Sequence, residues 1–298
     1  MPDLLDPKND YVFKRLFADD PALLVALINA VRPHAPPITQ IEVRNPTINA
    51  EELRGKYIIL DLLAMDSEGA QFNIEMQVRR HHAWSARSSY YLAKLISGQL
   101  LVGDDYTLLK PVIGIQLLDF DLFQEPQHQN QALWCFEMRD ANTPSVTLGQ
   151  ELQLNLIELR KADRLQQLSG PLGDWIALFK HWNEDQRMNQ ITDPPARAAL
   201  DKLKRISGDA EARRLAFVRE RALLDERSLL KDARDEGREE GRQEGRQEGR
   251  QEGKQEGKLE ALRQTAANLI QATTLDDAAI AAITGLRVDE IAALRRDA

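Results

Sequence analysis

The chain has 298 residues, 43% of them hydrophobic and 29% charged, with 39 Lys and Arg against 47 Asp and Glu for a net charge of −8. That length exceeds one α/β domain of ordinary size, and the single cysteine, Cys135, excludes an intrachain disulfide and suits a reducing, cytoplasmic compartment. The first residues, Met1 to Asp6, carry no basic stretch ahead of an apolar one, and no run reaches the roughly 18 apolar residues of a membrane span, so neither a leader nor a membrane partner is expected.

Asp6 or Asn9 opens a helix through Phe17, and Pro21 to Val31 reads as a second helix with proline in its first turn. Ile38 to Arg44 looks like a strand. Tyr57 to Asp66 and Gln71 to Val78 then form a β-hairpin around Ser67-Glu68-Gly69, a three-residue loop with glycine last that suits a type I turn closed by a left-handed residue. If Asp66 pairs with Ala70, paired residue numbers sum to 136 and Asp61 falls across from Glu75. Ala83 to Leu101 has helical spacing at Tyr91, Leu92, Leu95, Ile96 and Leu100 and is ended by Gly103. Pro111 to Leu118 is a buried strand, and Leu133 to Met138 and Leu152 to Leu159 extend the sheet. From Pro21 to Leu118 the element order is α, β, β, β, α, β.

The hairpin carries the chemistry. Opposed side chains in an antiparallel pair have Cβ atoms about 4.5 to 5.5 Å apart, and like charges placed there repel unless a cation sits between them. Asp61 lies in a near-continuous apolar run, Ile58-Ile-Leu and Leu62-Leu63, where an unpaired carboxylate is costly, although Glu75-Met-Gln77 alone fits the solvated face of an ordinary strand. Period-two alternation puts Gln77 on the face of Glu75, with Arg79 next. Two carboxylates and an amide converging on one point suit Mg²⁺, which takes oxygen ligands and leaves room for a substrate phosphate. A metal so placed serves phosphodiester hydrolysis.

Asp, a loop, then Glu-x-Lys on the next strand is the PD-(D/E)XK nuclease signature. The chain resembles the transposase-like branch of those nucleases, the Rpn or recombination-promoting nuclease family. The resemblance rests on Pro7 to Phe17, Gly55 to Asp61, Asn73 to Gln77, Arg87-Ser-Ser-Tyr-Tyr91 and Gly103 to Ile115, and it covers roughly the first 160 residues. It implies a restriction-endonuclease-like α/β core, a mixed sheet flanked by helices, followed by a mainly helical C-terminal region. It also implies a Mg²⁺- or Mn²⁺-dependent DNA endonuclease, with DNA as partner and a homodimer or higher oligomer cutting two strands. By the same resemblance Asp61, Glu75 and Gln77 fall on the catalytic positions, with Asp61 and Glu75 as metal ligands. Asp10 is a third metal candidate, or simply a helix-start aspartate. Leu60 replaces the motif's proline, and Gln77 replaces its lysine. An amide hydrogen-bonds a water or a phosphate but brings no positive charge, so Lys14, Arg79 or Arg87 is expected to supply it. The alternative is a catalytically inactive, DNA-associated or oligomerising protein that keeps the fold.

Charge argues against easy DNA binding, because residues 1 to 160 carry 14 Lys and Arg against 21 Asp and Glu, a balance of −7. Phosphate neutralisation wants a basic face. Either Lys8, Lys14, Arg15, Lys56, Arg79, Arg80 and Arg87 gather at the metal site, or binding needs the metal, a dimer or a partner.

Four segments follow from this: 1–160 nuclease-like, 161–231 a helical extension, 232–260 a glycine repeat, and 261–298 a helical hairpin. The extension breaks at Asp193-Pro-Pro and Ser207-Gly208. Six glycines recur every fourth residue from Gly237 to Gly257, mostly in Gly-Arg-Gln-Glu units. Glycine's cost of nearly 1 kcal/mol per helical position favours a flexible linker. A long helix is the alternative. Its regular units offer no opposite charges at i,i+3 or i,i+4, so packing through the glycine stripe against a second helix would have to support it. In the tail, two short helices surround Gly285, with Val288-Asp-Glu-Ile too acidic and apolar for a DNA-reading helix; an interaction hairpin is expected. His81-His82 lacks metal-ligand spacing and is taken as structural.

Overall fold

In a computed structural model, residues 4–44, 62–80, 84–166 and 169–296 are described. By its contacts the chain divides into two compact units, Met1–Asp225 and Glu226–Ala298.

In the first unit, α1 (Asp10–Ala18) is capped by Asn9, whose side-chain oxygen accepts the Tyr11 and Val12 amides at 3.1 and 3.4 Å. Helix α2 (Pro21–Val31) opens on the expected proline, whose missing N–H is no loss in a first turn. Strand β1 (Ile41–Val43) is shorter than the run from Ile38 suggested. The reason is local: the Asn29 side chain donates to the Ile38 carbonyl at 2.9 Å and accepts its N–H at 3.0 Å, taking both groups away from a ladder.

Strands β2 (Leu62–Asp66) and β3 (Gln71–Gln77) form the expected hairpin. Leu62 pairs with Ile74, Leu63 with Asn73, Ala64 with Phe72 and Met65 with Gln71, each pair in the anticipated register. Gly69 closes the turn at φ +90°, the left-handed region that favours glycine. Asp66 Oδ1 accepts the Glu68 and Ala70 amides, both at 2.9 Å, and locks the loop from within.

Helix α3 (Trp84–Ser97) crosses from β3 to the parallel strand β4 (Val112–Leu118). It ends short of Leu101. Gln99 brackets the Lys110 backbone with bonds of 3.0 and 2.8 Å, and Asp104 accepts the Leu101 amide at 2.7 Å, so the chain leaves the helix axis before Gly103. Strands β5 (Leu133–Glu137) and β6 (Leu152–Glu158) complete a six-stranded mixed sheet of order β1-β2-β3-β4-β6-β5. Its parallel pairs are β3·β4 and β4·β6.

The two faces of the sheet are covered unequally. On one, Phe72, Ile74, Ile113 and Ile115 pack with α1, α2, α5 (Gly170–His181) and α7 (Pro194–Gly208) in the main core. Phe13, Phe17, Trp175 and Phe179 form its aromatic centre, with ring centroids 4.9 to 6.4 Å apart. On the other face α3 lies over β4. There Gly114 leaves room for Leu92 and Leu154, whose terminal methyls would stand within 3.3 Å of any added Cβ. At the end of β6 the buried Glu158 accepts Lys161 Nζ from α4 (Leu159–Leu165) and Trp134 Nε1, both at 2.7 Å, so neither charge is unpaired.

The chain continues through α6 (Asp185–Met188) to α8 (Ala210–Ala272), one helix of 63 residues. The glycine repeat lies inside it, helical despite the cost. Residues 231–260 are exposed on every side, and a Cβ added at any of the six repeat glycines meets nothing within 4 Å. The regular units form no intrahelical ion pair; Glu239–Arg242, at 3.0 Å, starts in the irregular unit Gly237-Arg-Glu-Glu240. In the second unit α9 (Asp277–Thr284) and α10 (Val288–Arg296) flank Gly285, at φ +73°. Ile280, Leu286 and Ile291 bury a small core with Ala266.

Candidate active site

Parallel pairing puts Asn73, Glu75 and Gln77 of β3 level with Gly114, Gln116 and Leu118 of β4, all on the α3 face of the sheet. Glu75 is 4% exposed. Asn73 Nδ2 donates to its Oε1 at 3.0 Å and Gln77 Nε2 to its Oε2 at 2.9 Å. A carboxylate enclosed in protein usually has a cation beside it. Among the described residues Glu75 has two neutral amides.

Asn73, Gln116 and Ser88 belong to this site and were not singled out from sequence. Gln116, fully buried level with Glu75, exchanges bonds of 3.2 and 3.0 Å with the Ser88 hydroxyl of α3. The signal for Asn73 was its place two residues before Glu75. For Gln116 it was a lone amide in the apolar run Val112 to Leu118.

Of the other candidates, Asp61 and Lys56 lie outside the described residues, as do His81 and His82. Asp10 is engaged elsewhere: Arg219 of α8 holds its carboxylate, with Nε 2.8 Å from Oδ2, and no described contact joins it to Glu75. Lys14 is 1% exposed on α1. Arg79 donates through Nη2 to the Leu223 carbonyl. Lys8 is bound to the Phe179 carbonyl at 3.1 Å and lies 3.8 Å from the Trp182 ring centroid, while Arg15 pairs with Asp19 at 3.3 Å. Lys8 and Arg15 are therefore engaged with other groups than Glu75. Arg87 differs, because its Nη2 is enclosed without a hydrogen-bond partner among the described residues.

On the other face of the sheet Asp6 and Lys8 border a cleft with Val78 and Asp119. Burial raises the Asp6 pKa, against the lowering pull of Lys8. Asp119 is held by Lys180 at 2.7 Å and Arg160 at 3.5 Å, so these groups pair among themselves.

Among the described residues no group of three or more His, Cys, Asp or Glu side chains stands ready to hold a metal ion. The donors around Glu75 are nonetheless hard: one carboxylate and the carboxamides of Asn73, Gln77 and Gln116. That chemistry fits Mg²⁺ or Mn²⁺ rather than a thiolate- or imidazole-seeking ion, and each Glu75 oxygen keeps a lone pair beyond the bond it accepts.

A helix-flanked mixed sheet with an antiparallel hairpin running into a parallel β-α-β crossover, and a buried glutamate on the shared strand, is the architecture of the PD-(D/E)XK α/β proteins. Residues 7–233 match the family described as PD-(D/E)XK nuclease family transposase, and the chain belongs to that family. Its function is therefore of the nuclease and transposase kind, and nucleases of this superfamily generally use divalent metal ions. Comparisons with curated proteins and with solved structures returned no match. No helix of the described residues is long and apolar enough to cross a membrane.

Proposed function

We propose that the chain is a divalent-metal-dependent DNA endonuclease whose centre is Asp61, Glu75 and Gln77, working as a homodimer so that two sites cut two strands. The observation that supports this most is Glu75, 4% exposed and held, among the described residues, by amides alone, on the strand where this family would carry its glutamate. Carried one pair beyond Leu62–Ile74, the hairpin register would set Asp61 across from it. These two carboxylates would hold Mg²⁺ or Mn²⁺, which when bound polarises the phosphoryl oxygen and lowers the pKa of its water.

The chain's own groups do the rest. Asn73 holds one Glu75 oxygen and fixes the rotamer of the carboxylate. Gln77 spends one N–H on the other oxygen and keeps its second N–H and its carbonyl for orienting a water or a phosphate. Gln116, fully buried level with Glu75 on the next strand, is held in place by Ser88 of α3. Positive charge, which Gln77 lacks, would come from Arg87 in preference to Lys14 or Arg79, since Arg79 is already spent on a backbone carbonyl.

The uncharged Gln77 and the net charge of −8 favour a second reading, a catalytically inactive protein that keeps the fold to associate with DNA or to oligomerise. Nicking of supercoiled plasmid with Mg²⁺ or Mn²⁺ decides between them. The unmodified chain should nick, and Asp61→Ala and Glu75→Ala should each abolish it. Activity surviving both substitutions overturns the site, and an inert unmodified chain on every DNA form and with both metals establishes the second reading.

A further inference from the structure

Helix α3 presents two faces. Trp84, Ser88 and Leu92 point into the protein and are buried. Arg87, Tyr90, Tyr91 and Lys94 stand at i, i+3, i+4 and i+7, one stripe on the surface of the same helix. The same helix reaches the site through Ser88, which bonds Gln116, the β4 residue level with Glu75.

Each member of the stripe has something to offer a ligand. Tyr90 is 63% exposed, a large ring left in water. It meets Tyr91 edge-on, with centroids 5.7 Å apart and planes at 70°, so the two rings present differently oriented faces. The Arg87 guanidinium lies 5.7 Å from the Tyr91 ring centroid, and its Nη2 is enclosed without an acceptor among the described residues. Enclosing a charged donor without an acceptor is costly. The guanidinium fork matches a phosphate, and an arriving phosphate would provide the acceptor. Lys94 is exposed one turn beyond. In a chain of net charge −8, α3 carries these two cations and no acidic residue.

We infer that the Arg87–Tyr90–Tyr91–Lys94 face of α3 binds an unpaired DNA strand, so that the substrate is single-stranded or locally opened DNA and not intact duplex. The inference rests on the nuclease reading above and names its substrate. Two observations favour this occupant. Duplex binding draws on an array of phosphate contacts, and the first 160 residues carry 14 Lys and Arg against 21 Asp and Glu. Exposed aromatic rings beside a few cations are how proteins hold single strands, because every unpaired base has a free π-face while a duplex hides its own.

The test is fluorescence anisotropy with the full chain in EDTA, so that binding is read without cleavage. The probes are a labelled 20-nucleotide single strand and the duplex of the same sequence. The single strand should bind at least about tenfold more tightly. Tyr90→Ala should weaken it by about five- to a hundredfold, the loss of one stacked base, and leave duplex binding unchanged, with Tyr90→Phe restoring it. Arg87→Ala should weaken single-strand binding and reduce the magnitude of the salt slope by about one. Tyr90 is exposed, so the fold should survive its loss. Duplex bound as tightly as single strand, or single-strand binding indifferent to Tyr90→Ala, overturns the inference. A drop in molar mass of DNA-free Tyr90→Ala would assign the face to a second copy of this chain and overturn it too. Nicking of duplex plasmid without this binding sinks the inference alone. Binding without nicking under any metal sinks the nuclease reading alone.

Discussion

Replacing Glu75 by glutamine keeps the side chain's shape and removes its charge. At 4% exposed, the carboxylate bears a desolvation cost of several kcal/mol. Against this stand two charge-assisted bonds from Asn73 and Gln77, returning about 1.5 to 3 kcal/mol each. Glutamine removes the desolvation cost and leaves two neutral bonds of about 0.5 to 1.5 kcal/mol each, with the Gln77 amide turning to offer its carbonyl. The balance favours the variant by about 1 to 2 kcal/mol, or about 2 to 8 °C in Tm for a unit of this size. In the unmodified chain Mg²⁺ should raise Tm, by the equivalent of about 2.7 kcal/mol at a hundred times its Kd, and in Glu75→Gln it should not. Thermal unfolding followed by circular dichroism in EDTA and in Mg²⁺ gives all four values. A variant that melts lower than the unmodified chain in EDTA, or that gains as much from Mg²⁺, would refute the argument that this carboxylate waits for a cation.

Other perturbations follow from the same contacts. Lys161→Met strands Glu158 without its counter-ion in a fully buried place and should cost about 3 to 5 kcal/mol; a urea midpoint left unchanged would contradict this. His181 lies 2.7 Å from Asp163 and 2.8 Å from Glu184; burial lowers its pKa, but the bonds to the two carboxylates outweigh this and hold it above the ordinary value. Stability from a raised pKa is fully present below the unfolded value of about 6.5 and is lost as pH climbs through the folded one. The advantage of the unmodified chain over His181→Asn should thus be largest near about pH 6 and fade in alkaline buffer, and a gap that widens with pH would reverse that sign. Changing Gly245, Gly249 and Gly253 together to alanine should strengthen α8 by about 1 kcal/mol per position, visible as helical signal at high temperature. Weakening instead would mean that the glycines touch another chain.

Local signals were legible in the sequence and distant partners were not. Asn9, Pro21 and Gly69 announce the caps and the turn because each acts on backbone within a few residues of itself. The hairpin register followed from that turn. The ends of β1 and α3 were misplaced because Asn29 and Gln99 reach nine and eleven residues along the chain to take backbone groups. For the same reason nothing near Asp10 in sequence announces Arg219, 209 residues away, which holds it. Sequence does not separate Arg79 from Arg87, because Leu223, whose carbonyl accepts from Arg79, lies 144 residues away. The glycine repeat set propensity against packing within α8, and composition alone could not weigh the two.

The turn at Gly69 acts as a ruler for chemistry on the far side of the hairpin. Glu75 is six residues away, about 20 Å along an extended strand. A slip of one residue would carry Glu75 and Gln77 onto the core side and turn Ile74 and Met76 out. A side chain at Gly69 would be strained at φ +90° and would press on Lys110, 3.1 Å from the new Cβ. Inactivating alleles should therefore appear at a surface loop that touches no substrate, and a screen for lost activity would flag Gly69 and Asp66 beside the carboxylate they aim.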